Sequence, residues 1–346
     1  MKWISGSLWS MHFFALSISI ISIISFYRLL SLVLSPYWSL GGVALLILQE
    51  AFYVQSSFVL PEVLILLLML ESLRSYLNGS KFNFLIAAGL LGITKEIGVV
   101  IILSFALFHL GKEKGIRYRS YWVYGSILPA VIYYVLQKIK LGWFFYPLHL
   151  DLMDISFRSL YSKADIILKF IFFEQGRKAL LVITGIVLIA NLFLRDTRKY
   201  LLSFIAIIAL SIFLYIQENI FSLIIYLLLI LYHGRKLIAL TRMEKDLFLL
   251  IGILCFACFT FSITNFLMLR YLLLFLPMMI LVFMIITQKI TPKQLFYSSA
   301  LCIILILNFA WSFHINYTKK EWHDDAGINY LNIVRVHQQV VKYCEE

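Results

Sequence analysis

Apolar runs of roughly 15 to 20 residues, each closed by a short polar or basic stretch, recur along almost the whole chain. The strict two-residue alternation of a membrane barrel strand is absent. The pattern therefore predicts helices, and helices long enough to cross a bilayer. We expect about twelve of them, at 8–27, 38–57, 59–76, 83–94, 97–111, 120–137, 179–194, 200–216, 220–232, 247–266, 271–287 and 295–313. Composition agrees with the pattern. Of 346 residues, 62% are hydrophobic and only 14% charged, with a mean hydropathy of +0.91, whereas a water-soluble domain is about half apolar. The expected fold class is an all-α, polytopic helical membrane protein.

The net charge of +12 would point to nucleic acid in a soluble protein. Here the basic residues sit in short connections between apolar runs, where they set orientation, and no nucleic-acid partner is expected. One alternate set of connections holds Arg28, then Arg74 and Lys81, then GKEKGIRYRS (111–120), RDTRK (195–199), HGRKLIALTRMEK (233–245) and TQKITPK (287–293). These should be cytoplasmic. The opposite set is poor in Lys and Arg where it is short, as in IQENI (216–220) and LMLRY (267–271). This threading predicts an N-out, C-out chain, with a transmembrane domain over 1–313 and a short extracytoplasmic tail over 314–346. Apolar positions at Ile328, Leu331, Val334 and Val341 allow that tail one amphipathic helix.

One segment decides the threading. Between Phe82 and Leu110 the only charged residues are Lys95 and Glu96, side by side in GLLGITKEIGVV (89–100). As one helix this run would be about 43 Å long, beyond the roughly 30 Å hydrocarbon core, and would put neighbouring basic clusters on opposite sides. A short helical hairpin turning at Lys95 and Glu96 keeps both clusters on one side. A charge at bilayer depth costs at least about 2.5 kcal/mol, so such residues face protein or a wet cavity. They are then either functional or a structural pair between helices.

Other candidate groups lie on the same predicted outer side. Glu62 follows Pro61 in the first turn of a predicted span, where the helix dipole favours a carboxylate; it is a cap or a site residue. Arg270 and the adjoining Tyr271 open RYLLLFLP (270–277), and Arg177 closes the long segment 138–178. Each arginine alone reads as an interface anchor. Together with Lys95 they would suit a phosphate group. The 138–178 segment is long for a loop and its WFFY run (143–146) suits the headgroup level, so it is expected to lie along the membrane with interfacial helices. His149, Asp151 and Asp154 in it are either solvated loop residues or holders of a divalent metal; no recognised ligand motif is present. Glu50, with Gln49 and Gln55 nearby, lies deeper. The four cysteines have no paired metal-ligand spacing, and CFAC (255–258) reads as small span-packing residues. No P-loop, HExxH or GxSxG motif is present.

The succession LPEVLILLLMLESLRSYLNGSKFNFLIAAGLLGITKEIGVVIIL (60–103), followed downstream by RYLLLFLP, resembles the C-type (GT-C) glycosyltransferase superfamily, and within it bacterial relatives of protein O-mannosyltransferases and of the lipid A aminoarabinose transferase. The matching marks are Pro61 with Glu62, the polar loop NGSK (78–81), and a Gly-rich hairpin ending in Thr94 and Lys95. The likeness covers the layout of residues 10–112 and 265–277. It implies a multi-pass enzyme of the bacterial inner (cytoplasmic) membrane that uses a polyprenyl-phosphate-linked sugar donor and glycosylates a lipid, glycan or protein outside. Lys95, Arg270 with Tyr271, and Arg177 would hold the phosphate, with Glu62 or Glu96 orienting them or the sugar. Such enzymes carry an acidic residue after one N-terminal span, and here none precedes Glu50. A chain shortened by that span is therefore expected, with its catalytic base unassigned and its activity in this form an open question. An O-antigen polymerase or ligase, and a transporter or flippase of lipid-linked sugars, are the alternative readings.

Overall fold

A computed structural model describes residues 8–58, 60–112, 121–145, 147, 153–195, 197–217, 220–237, 240–265, 267–290, 303–312 and 314–315. Every regular element among the described residues is helical. In chain order they are α1 Leu8–Leu30, α2 Pro36–Ile47, α3 Glu50–Ser56, α4 Pro61–Leu77, α5 Lys81–Thr94, α6 Glu96–Lys112, α7 Tyr121–Gly125 and α8 Leu128–Leu141. They continue with α9 Phe157–Phe172, α10 Arg177–Arg195, α11 Thr197–Gln217, α12 Ile220–Leu237 and α13 Arg242–Thr264. A 3-10 helix, Leu269–Leu274, leads directly into α14 Phe275–Ile290, and α15 spans Ile303–Ser312.

By length and hydropathy three of these can cross a membrane: α1 over His12–Leu30, α13, and the joined unit Leu269–Lys289. The pair α2 and α3 makes a fourth if counted as one broken span. The outer surface fits a lipid environment. Phe13, Ile139, Leu202, Phe256 and Leu307 are all largely exposed on helix faces, far more apolar surface than a monomer leaves in water.

Three expected spans are interrupted. The run 38–57 bends by 70° between α2 and α3. Gln49 caps α3 with extended backbone, and its amide donates back to the Leu45 carbonyl at 3.0 Å. The run 120–137 stops at Gly125 and restarts at Leu128, because Pro129 brings no N–H and fits only the first turn of a new helix. The run 271–287 begins as a 3-10 helix and becomes an α-helix at Phe275.

The segment 82–110 is a hairpin. Lys95 is extended (φ −164°, ψ 159°) between α5 and α6, and the two helices pack antiparallel, with the Phe84 and Phe105 rings 5.2 Å apart. Close to the turn the backbones almost touch. A Cβ on Gly98 would lie 1.9 Å from the Leu91 carbonyl oxygen, so only glycine fits there.

The principal core joins α1, α2, α4, α5, α6, α9, α13 and α14. A second, smaller core belongs to α10, α11 and α12 around Leu188, Ile207, Leu223 and Tyr226. The Tyr226 hydroxyl sits in the notch that Gly185 leaves open and donates to the Leu181 carbonyl at 3.2 Å. In the principal core, helix direction sorts the charges. Lys112 at the end of α6 pairs with Asp246 near the start of α13. Lys289 at the end of α14 reaches Glu244 in the first turn of α13 at 2.9 Å. Arg74 in the last turn of α4 chelates Glu71. All lie at one end of the bundle, and the starts of α4 and α6 lie at the other.

Candidate functional site

At that other end, Glu62 is the second residue of α4, directly after Pro61. Its side chain is only 4% exposed. Lys95 leaves the hairpin turn and places Nζ 2.9 Å from Glu62 Oε1, as a charged hydrogen bond. Arg270, in the 3-10 helix, brings Nε to 3.3 Å from the same oxygen, an ion pair rather than an aligned hydrogen bond. The Tyr271 ring backs both cations, with Lys95 Nζ 3.9 Å and Arg270 Cζ 5.6 Å from its centre. Cation–π contact of this kind is worth about 0.5 to 2 kcal/mol according to how far the charge is desolvated. Two cations therefore share one carboxylate oxygen. The second, Oε2, is buried and accepts no hydrogen bond among the described residues.

Each element supplies its residue for a local reason. Proline ahead of Glu62 starts α4 and leaves the carboxylate over unsatisfied first-turn N–H groups. The extended Lys95 separates two helices, so its side chain projects from the turn instead of lying against a helix flank. A 3-10 run of six residues is longer than the usual three or four and often marks a hinge. It holds Arg270 and Tyr271 next to each other against the first turn of α4.

The cluster borders a small cleft lined by Glu62, Arg270, Tyr271, Ile65, Ile97 and Leu274. Its cavity volume is about 10 Å³, on the order of what one water needs. Lys95 keeps 18% of its side chain exposed, so the site borders the surface and is not sealed.

Of the six site residues expected from sequence, Lys95, Glu62, Arg270 and Tyr271 meet here. Glu96 is the first residue of α6, partly buried, and interacts electrostatically with Tyr134 of α8. Arg177 is engaged elsewhere. It is 1% exposed, donates from Nε and Nη2 to the Phe170 carbonyl, the first at 2.9 Å, and from Nη1 to Gln49 Oε1 at 3.0 Å and Gln175 Oε1 at 2.7 Å. Its guanidinium also stacks over the Phe170 ring at 4.4 Å. Arg177 thus ties the end of α9 to the break between α2 and α3.

In the long connection, Asp154 Oδ1 accepts the Ser156 backbone N–H at 2.9 Å, and that bond holds its carboxyl below the ordinary value. His149, Asp151 and most of the tail 314–346 lie outside the described residues. Among the described residues no three His, Cys, Asp or Glu side chains are grouped to hold a metal. Comparison of the chain with known protein families, with curated proteins and with solved structures finds no match.

Proposed function

We propose that the chain is an integral-membrane glycosyltransferase of C-type architecture, which takes a sugar from a polyprenyl-phosphate-linked donor and passes it to an acceptor on the extracytoplasmic side of a bacterial cytoplasmic membrane. This reading has the chain cross the bilayer about twelve times, N-out and C-out, with residues 1–313 as the membrane domain. One observation carries it: Lys95 and Arg270 converge on a single carboxylate oxygen of Glu62, backed by Tyr271, at the break of a short helical hairpin. A pair of cations so arranged is what a departing lipid phosphate requires, because charge develops on its oxygens in the transition state.

Glu62 now occupies the place that a phosphate oxygen would take. The cleft holds about one water, so donor binding must move Glu62 or the Arg270–Tyr271 segment. The short 3-10 helix is the element suited to that displacement. Once Lys95 and Arg270 turn to phosphate, both oxygens of Glu62 become acceptors for a sugar or acceptor hydroxyl. Oε2 already lacks a protein donor among the described residues.

The test uses the full chain in nanodiscs with a polyprenyl-phosphate hexose and a hydroxyl-bearing acceptor lipid, following both bound donor and released polyprenyl phosphate. Lys95→Ala and Arg270→Ala should each weaken donor binding by tenfold or more, about 1.4 kcal/mol, measured on protein that is still folded. Donor affinity untouched by both changes would overturn the phosphate site. Donor bound and moved across a vesicle membrane with its sugar still attached would overturn transfer in favour of transport.

A further inference from the structure

A second small cavity lies beside the first, with the Leu274 side chain in the wall of both. Its lining has an unusual chemistry. Four of its seven lining residues carry sulfur, Met69 of α4, Cys255 and Cys258 of α13 and Met278 of α14, and the other three, Leu254, Leu274 and Phe275, have purely hydrocarbon side chains. The two cysteines are free thiols. Three residues apart on an unbroken helix, they lie on one face. Met69, Cys258 and Met278 are each 3% exposed or less, and Cys255 is partly exposed. The cavity volume is about 10 Å³, enough for one water by size. A water, however, needs two to four polar partners, and no side-chain nitrogen or oxygen lines this space.

We propose that this cavity is a binding site for one soft monovalent metal ion, Cu(I) or its surrogate Ag(I), held by the thiols of Cys255 and Cys258 and the thioethers of Met69 and Met278. Thiolate and thioether donors select Cu(I), whereas magnesium, calcium and manganese require oxygen ligands that are absent. Charge balance favours a monovalent ion over zinc. Binding exchanges one thiol proton for one Cu(I): the S–H bond breaks, an S–Cu bond forms and the proton leaves to solvent, with no change of oxidation state. The site stays uncharged, as an apolar bundle demands. A divalent ion would have to displace two protons to reach the same neutrality and would still seek four strong N or S ligands. The proposal is independent of the glycosyltransferase reading.

The experiment uses the full chain with Cys302→Ser and Cys344→Ser, purified in detergent without oxygen and titrated with Cu(I) against a chromophoric Cu(I) chelator. One equivalent should bind, with an all-sulfur first shell by X-ray absorption, and Ag(I) should raise the unfolding temperature. Cys258→Ser should lower the affinity about tenfold or more. The nearly volume-conserving pair Met69→Leu and Met278→Leu should keep the fold and also weaken binding. Absence of competitive binding, a shell containing oxygen or nitrogen, or affinity unchanged in both variants would overturn the site.

Discussion

Single atoms decide the packing at two glycines. A methyl at position 98 would fall 1.9 Å from the Leu91 carbonyl oxygen, and one at 185 would fall 1.9 Å from the Tyr226 hydroxyl. In the first case a backbone must move. In the second a fully buried ring must leave its seat or the helices must part. Gly252, in contrast, has nothing within 4 Å of the same atom. We expect Gly98→Ala and Gly185→Ala to destabilise the protein by about 1 to 3 kcal/mol or more. Gly252→Ala should be neutral or stabilising by up to about 1 kcal/mol, because alanine is the better helix former. Thermal unfolding in detergent ranks the three, and a Gly98→Ala protein as stable as Gly252→Ala would contradict the close hairpin. At this scale Lys95 was legible in the sequence, since a charge inside an apolar run has few places to go. The seat of Tyr226 was not, because the hydroxyl finds its notch across 41 positions of chain only once α10 and α12 have their register. CFAC shows its own spacing, but Met69 and Met278 come from helices far away in sequence.

Among the elements, breaks carry more information than lengths. Hydropathy located apolar runs that are helical among the described residues; it missed the bends at Gln49 and ahead of Pro129, because the residues on either side are equally apolar. The bend between α2 and α3 has a specific support in Arg177, whose donors reach both Gln49 and the Phe170 carbonyl. Sequence reasoning assigned Arg177 to an interface or a phosphate, since its partner Gln49 lies 128 positions away. Replacing Arg177 by methionine leaves buried acceptors without their charged donor, at about 1.5 to 3 kcal/mol for each such bond. Hydrogen exchange around 45–50 should rise in Arg177→Met, and Arg177→Lys should not restore it, because one ammonium cannot reproduce the guanidinium fork. Unchanged exchange in that segment would show that the bend stands without Arg177.

For the whole molecule, the directions of α4, α6, α13 and α14 separate two ends. One gathers Arg74, Lys112 and Lys289 with their acidic partners; the other holds Glu62, Lys95 and Arg270. Arg74, Lys112 and Lys289, which belong to three of the basic connections expected on one side, gather at the same end of the bundle. In a protein without its native cysteines, Asn78→Cys and Lys112→Cys should be labelled from one face of a sealed vesicle, and Thr94→Cys from the opposite face. Labelling of positions 78 and 94 from the same face would show that this bundle does not cross the membrane. The same arrangement bears on the charged cluster. Lys95 is held by Glu62 from a helix 33 positions earlier, while Arg270 arrives from much later in the chain.

The division into two cores has a consequence for synthesis. The larger core joins α1 to α6 with α13 and α14, so its first part leaves the ribosome long before its last. Some 174 codons separate Glu96 from Arg270, and at about 5 to 20 residues per second the nascent chain waits roughly 9 to 35 seconds with Glu62 paired to Lys95 alone. Meanwhile α10 to α12 can close on themselves around Tyr226. A transcript cut before α13 would therefore yield a product with one finished subdomain and one permanently open, marked for degradation by the half that cannot close.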